Sequence, residues 1–259
     1  MMKSLNRWIT TLGMVGATVL STSFNQFEAL ALPNEQILQI LNPVPVFTIA
    51  NEQGVTLTIT VTPKENEVSE DNQEKSAVVV FMSHQQANDF INTRLKNDNP
   101  ELAKNVSVNT VPLGKIFEES QNKDVQLTYV PTQESLDTAK GILEEEGKKY
   151  QGGVPLFFAK DKNNGQPFLF GDETKQVFPL FFEKTRLDNT VEQVSKQDPD
   201  FASNVDIEVI PLEQVLATLQ QDDDEALQQI ELVISNESQE FIRQNFSDTS
   251  STDPAPTGQ

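Results

Sequence analysis

Few residues in this chain have a type and spacing that could do chemistry. His84 is the only imidazole in 259 residues. A hydrolytic triad would need it within reach of a serine and an orienting carboxylate, and no G-x-S-x-G accompanies it. It reads as a polar residue in the first turn of a helix. Asp222-Asp223-Asp224-Glu225 carries enough carboxylate for calcium, but it lacks the alternating ligands and the turn glycine of an EF-hand loop. It reads as a solvated loop, and Glu144-Glu145-Glu146 as a solvated helix end. No phosphate-loop pattern follows Gly152-Gly153 or Gly165. Asn105, Asn236 and Asn245 fit the glycosylation pattern, which matters only in a compartment that glycosylates. Without cysteine there is no disulfide, thiolate nucleophile or iron–sulfur cluster, and almost no structural zinc site. We therefore expect no catalytic residue, no metal and no cofactor: a protein that is not an enzyme. The enzymatic alternative is a carboxylate-based envelope hydrolase, yet none of the 39 acidic residues is singled out as a pair by spacing.

Charge and the amino terminus narrow the partners and the compartment. With 19 basic against 39 acidic side chains the net charge is −20, which opposes binding to nucleic acid. Residues 1–31 read as an export signal: Lys3 and Arg7, an apolar run from Trp8 to Leu20, then Ala29-Leu30-Ala31. An uncleaved anchor would need a longer run to cross about 30 Å of hydrocarbon. No other stretch approaches that length, so the processed chain is not an integral membrane protein. Export without cysteine fits a bacterial envelope or a compartment derived from one.

The elements that would position any site are written twice. Val44-Pro45-Val46-Phe47 is answered by Val154-Pro155-Leu156-Phe157, and Val78 to Met82 by Phe178 to Phe182. Asn99 to Val106 aligns with Asp198 to Val205, and Val111-Pro112-Leu113 with Ile210-Pro211-Leu212. An acidic insert, Pro63 to Ser76, lengthens the first copy. His84 matches Lys184, so the scaffold does not require imidazole there. Each copy predicts β-β-β-α-β-α-β-α: an α+β fold of two similar halves related by internal duplication and a pseudo-twofold axis. The second strands are expected over 55–61 and 166–171, and the third over 78–82 and 178–182. The repeats span 32–148 and 149–246, and 247–259 has the composition of a disordered tail.

Phenylalanine is the outstanding feature. Seven of the chain's 16 fall between Phe157 and Phe182. Adjacent strand residues face opposite ways, so Phe157-Phe158 and Phe181-Phe182 place an aromatic on each face. Two readings stand side by side: an interface buried between the repeats, and an apolar surface for extended or unfolded polypeptide. The polypeptide-binding candidates are Phe157, Phe158, Phe168, Phe170, Phe181 and Phe182, with Phe47 and Met82 from the first copy.

These same segments resemble a known family. Gly153 to Phe158, Gly165 to Phe170 and Phe178 to Lys184 are similar to the small soluble intermembrane-space subunit of the chloroplast inner-envelope translocon (Tic family), and more closely to its cyanobacterial homologues. The likeness runs from Pro33 to about Phe246 in the same duplicated order. It implies a non-enzymatic, chaperone-like factor for protein translocation or outer-membrane protein biogenesis, in the periplasm or alternatively the thylakoid lumen. Its implied partners are unfolded or translocating polypeptides and a barrel-assembly protein of the outer membrane. A structural envelope scaffold is a further alternative.

Overall fold

The computed structural model describes residues 32–61, 75–121, 126–171, 175–222 and 224–246. The stretches expected to be an export signal (1–31) and a tail (247–259), Asp223 and most of the acidic insert lie outside these residues.

Each repeat builds its own sheet. In the first, β1 (Pro45–Asn51) pairs antiparallel with β4 (Val106–Pro112), from Pro45↔Pro112 to Asn51↔Val106. β3 (Lys75–Phe81) pairs with β1 at Phe47↔Phe81, with β2 (Thr58–Val61), and in parallel with β5 (Gln126–Val130). In the second sheet β6 (Pro155–Asp161) pairs with β9 (Val205–Pro211) from Pro155↔Pro211 to Asp161↔Val205. There β8 (Gln176–Phe181) meets β6 at Phe157↔Phe181, β7 (Phe170–Gly171), and β10 (Ile230–Val233) in parallel. The two registers match at the repeated V-P-[VL]-F segments. Both second strands are shorter than their sequence predicts; in the second copy Pro167 makes a single bridge to Lys160, because proline supplies no N–H to extend the ladder.

The helices follow from local signals. α1 (Asn34–Leu41) buries Ile37 and Leu41. α2 (His84–Asp89) is capped by Ser83, whose hydroxyl accepts the Gln86 N–H at 3.0 Å. Gln86 does not complete a reciprocal capping box, because its amide donates to Pro131 O at 3.1 Å. α2 runs on through a π turn, Phe90–Leu95, into Lys96–Asp98. Its counterpart α6 (Lys184–Ser195) has no such turn. The repeat offset explains this: it is 100 at the third strands and 99 at Asn99/Asp198. The first copy thus carries one extra residue, which a helix absorbs as a π bulge. Two short helices, α3 (Pro100–Lys104, capped by Asn99) and α7 (Phe201–Asn204), lead into β4 and β9. α4 (Leu113–Ser120) and α8 (Leu212–Gln221) follow the prolines that end those strands. Gly114 lets α1 approach α4: a Cβ there would sit 2.2 Å from Asn42 Oδ1.

Three apolar clusters divide the interior. The central one joins the facing sides of both sheets, with Val46, Val80 and Met82 from one and Leu156, Phe158, Leu180 and Phe182 from the other, closed by α1, α4 and α8. The two outer clusters lie on the far faces, around Phe47 and Phe81 and around Phe157 and Phe181.

The closing helices are exchanged. α5 (Gln133–Glu145) ends the first repeat, yet its Ala139 is fully buried on the outer face of the second sheet. α9 (Asn236–Phe246) ends the second repeat, and its Phe241 joins the outer cluster of the first sheet. The Phe241 ring stands edge-on to Phe47 at 5.2 Å. Each half therefore completes the other's core.

Two stability outcomes follow. Phe241→Ala should cost about 2–3 kcal/mol although its helix belongs to the other repeat, while Phe246→Ala, at a ring 55% exposed, should cost under about 1 kcal/mol. Thr48 sits where the second copy has Phe158, is 1% exposed, and its hydroxyl has no partner. Thr48→Val keeps the shape and removes the buried hydroxyl, so it should stabilise by about 1 kcal/mol. Urea denaturation of the four proteins checks both.

Candidate functional site

The phenylalanine-rich strands are interior. Phe47, Phe157, Phe158 and Phe181 are buried, and so are Phe182 and Met82. As an open surface for polypeptide these six positions are corrected: there each sheet packs its inner face on the partner sheet and its outer face under helices, and Met82 and Phe182 reach only a cavity between the halves. Phe158 packs edge-on against Phe178 at 5.3 Å in the central cluster. Phe168 and Phe170 remain half-buried and lean on Phe201, at 4.8 and 6.4 Å. Phe158 and Phe182 lie in the central cluster between the sheets, and Phe157 and Phe181 in the outer cluster of the second sheet.

The first accessible feature is a lack of symmetry. In the second sheet the inner-face residues Phe178, Ile210, Ile230 and Leu232 are all buried. α1 packs there against β10 and the 3-10 turn Glu225–Gln229. Asp224 caps that turn by accepting the Ala226 N–H at 2.9 Å, which gives part of the acidic run a structural task. The matching residues of the first sheet are Val78, Val111, Leu127 and Tyr129, and all four are only half-buried. The helix that precedes β6, α5, lies on the outer face and so provides no second α1. The Tyr129 hydroxyl is held above its ordinary pKa by burial and then by Glu213, and stays protonated.

The second feature is a cavity of about 120 Å³ where the halves meet. Met82 and Phe182, matching residues of the two copies, form its apolar wall with Val154 and Pro131. Glu134, Glu183 and Glu237 supply carboxylates. They come from the first turns of α5 and α9 and the start of α6, because the exchange crosses those helix ends here. Hydrogen bonds lock the crossing. Ser135 Oγ donates to Phe182 O at 2.8 Å, and Glu237 Oε1 accepts the Gln85 N–H at 2.8 Å. Glu183 stands where Ser83 caps its own helix, but it accepts the Asn236 N–H of α9 at 2.8 Å. Burial pushes the Glu183 carboxyl up, yet the Asn236 N–H, the Thr185 hydroxyl, the Asn236 amide and Arg186 together hold it below the usual 4.5. Gly153, which precedes the lining residue Val154, has φ +92, and a Cβ there would meet Glu213 at 2.5 Å. Glu213 in turn accepts the Val154 N–H at 2.9 Å. The Tyr150 hydroxyl donates to Gly153 O, and its pKa is pushed up to about 12 by burial and then Glu213.

Among the described residues no group of three or more His, Asp or Glu side chains is placed to hold a metal ion. The Glu183 and Glu240 carboxyls are both held below their ordinary range, Glu183 by the donors named above and Glu240 by Arg243 and Gln244. His84 is taken up in packing, its ring 4.5 Å from Phe241 and 5.4 Å from Phe47. No described helix is long and apolar enough to cross a membrane.

Glu134, Glu183 and Glu237 were not legible as a group from spacing. The available signal was mismatch between the copies: Glu183 against Ser83, and Val78, Leu127 and Tyr129 against larger or better-covered partners.

Fold and interface together define a two-repeat α+β protein whose halves share one core and trade their closing helices. Residues 8–244 match the Tic22-like family, and the chain belongs to that family. It is similar to the solved structure of Tic22 from Anabaena, a protein-transport protein, with 30% identity and a TM-score of 0.68 over 82% of this chain and 97% of that one. Tic22 from Plasmodium falciparum has the same fold at 18% identity, with a TM-score of 0.59 over 80% and 96%. No curated protein matches the chain.

The Glu183 bonds predict a pH effect of definite sign. A carboxyl whose folded pKa lies below 4.5 adds stability above that value and loses it as pH falls through the folded one. The native chain should therefore exceed Glu183→Gln in stability near neutrality, and the gap should close on acidification below 4.5. Thermal melts of both proteins across that range test it.

Proposed function

We propose that this chain is a chaperone-like, non-enzymatic factor for protein translocation or outer-membrane protein biogenesis. It holds unfolded or translocating polypeptide by apolar contact, in the periplasm or, as the alternative compartment, the thylakoid lumen. A barrel-assembly protein is the proposed membrane partner. Membership of the Tic22-like family and similarity to a protein-transport protein of Anabaena support the transport reading.

The observation that carries polypeptide binding is the half-buried inner face of the first sheet. Val78, Leu127 and Tyr129 form it, and its twin in the second sheet is closed by α1. The chain thus displays on one sheet what such a face accepts: a short amphipathic segment that inserts two apolar side chains, Ile37 and Leu41. A client segment of that pattern fits the other sheet. The strongly negative net charge keeps a loaded complex soluble.

Dilution of a urea-unfolded outer-membrane barrel polypeptide into buffer supplies the test. The protein should suppress light scattering, and Leu127→Asn should suppress it less while keeping a native far-UV spectrum. Native protein that neither binds the unfolded chain nor slows its aggregation would overturn the reading. If it then still captured a barrel-assembly protein, a structural scaffold would take its place.

A further inference from the structure

We infer that the cavity between the halves is a receptor for one lysine-like side chain of a bound polypeptide, taking its methylenes on an apolar wall and its ammonium among carboxylates. The inference rests on the polypeptide-binding reading above and specifies what chemistry the client presents.

Size comes first. At about 120 Å³ the cavity is of side-chain size, well below the few hundred Å³ of a pocket that takes a whole small molecule. The wall chemistry comes second. Met82, Phe182, Val154 and Pro131 offer a stem its apolar contact, and a thioether beside a ring adapts well to a flexible chain. Lysine buries such a stem while keeping its charged head near water.

Charge decides the head group. Glu134, Glu183 and Glu237 line the cavity, and among the described residues no lysine or arginine does. Arg186 reaches Glu183 electrostatically, but its guanidinium donates to Ile234 O at 2.7 Å. The four helix starts that converge here contribute at most about half a positive charge each, so the carboxylates leave the site negative. Two of them are occupied as caps, Glu183 on Asn236 and Glu237 on Gln85. Glu134 is exposed at the mouth and makes no hydrogen bond or ion pair among the described residues. The three do not converge as metal ligands. Spread acceptors beside an apolar wall suit an ammonium on a stem better than a bare ion. Met82 also belongs to the apolar cluster against which Val78, Leu127 and Tyr129 pack.

Met82 is the only methionine after residue 14, which makes its ε-methyl an assigned NMR probe. With ¹³C-methyl methionine, N-acetyl-lysine methylamide should shift the Met82 signal, and the norleucine analogue should not. Glu134→Gln should weaken the lysine effect about three- to five-fold, the worth of one partly exposed ion pair. A silent Met82, or equal response to both amides, overturns the inference. The client arm uses an unfolded barrel polypeptide with lysines unmodified, dimethylated (charge kept) or acetylated (charge removed). Acetylation should weaken binding and dimethylation should not. Equal binding of all three overturns the lysine receptor and leaves the polypeptide-binding reading standing. A Met82 response without binding of any client does the reverse.

Discussion

A strand with apolar side chains at consecutive positions cannot leave either face of its sheet in water. Phe157-Phe158 and Phe181-Phe182 impose that condition on the second sheet, and Val46-Phe47 with Val80-Phe81 impose it on the first. One inner layer suffices for both sheets, because the sheets face each other across it with α1, α4 and α8 at its margins. Two outer layers are still needed. Each repeat covers part of its own outer face with α2 or α6, and the rest comes from the closing helix of the other repeat. The junction after α5 is short, and α5 is seated on the second sheet before β6 begins. The exchange therefore does more than decorate the interface. Removing either closing helix would expose a phenylalanine that is fully buried in the opposite half.

Much of this architecture was legible in the sequence, and the limits were physical. The repeated V-P-[VL]-F segments fixed the strand pairs so well that Pro45↔Pro112 and Pro155↔Pro211 occupy the same place in both ladders. Ser83 and Pro112 marked helix starts where helices do start. Periodicity also predicted that neighbouring phenylalanines would face opposite sides. What it could not supply is the identity of the layer on each side. An apolar stripe on α5 reads the same whether it covers its own sheet or the next, since tertiary partners leave no local trace. For the same reason apolarity alone did not separate the buried Phe158 and Phe182 from an open surface. The second strand of the second copy is shorter than its apolar composition suggests because Pro167 and the Gly165 turn interrupt the ladder.

Divergence between the copies marks the places where the symmetric scaffold was adapted. The extra residue of the first copy is contained in a π turn within one helix, so it leaves the strands on either side in register. Ser83 and Glu183 begin equivalent helices, but the longer side chain reaches past its own helix to the start of α9. Leu212 and Leu113 are equivalent, whereas their neighbours Glu213 and Gly114 are not. Glycine admits α1 against α4, and Glu213 instead fixes the backbone at Val154. α1 itself has no twin. These changes leave the second sheet sealed and the first sheet half-open, so the two halves share a fold without sharing an exposed surface.

Position relative to the symmetry gives the axial cavity a property that neither half could have alone. In a dimer of identical chains every group near the axis would occur twice, so a ligand lying there would meet the same side chain from both directions. Duplication within one chain lifts that restriction. Met82 faces Phe182 rather than a second methionine, and Glu183 is answered by Ser83, which is occupied in capping. A pocket at this point can therefore hold an end-to-end asymmetric guest, with a stem on one side and a charge on the other. The bonds that hold it open are those that lock the exchanged helices, Ser135 to Phe182 and Gln85 to Glu237. Shape at the cavity and integrity of the two cores are thus set by the same contacts, and whatever loosens the crossing of α5 and α9 alters the site with it.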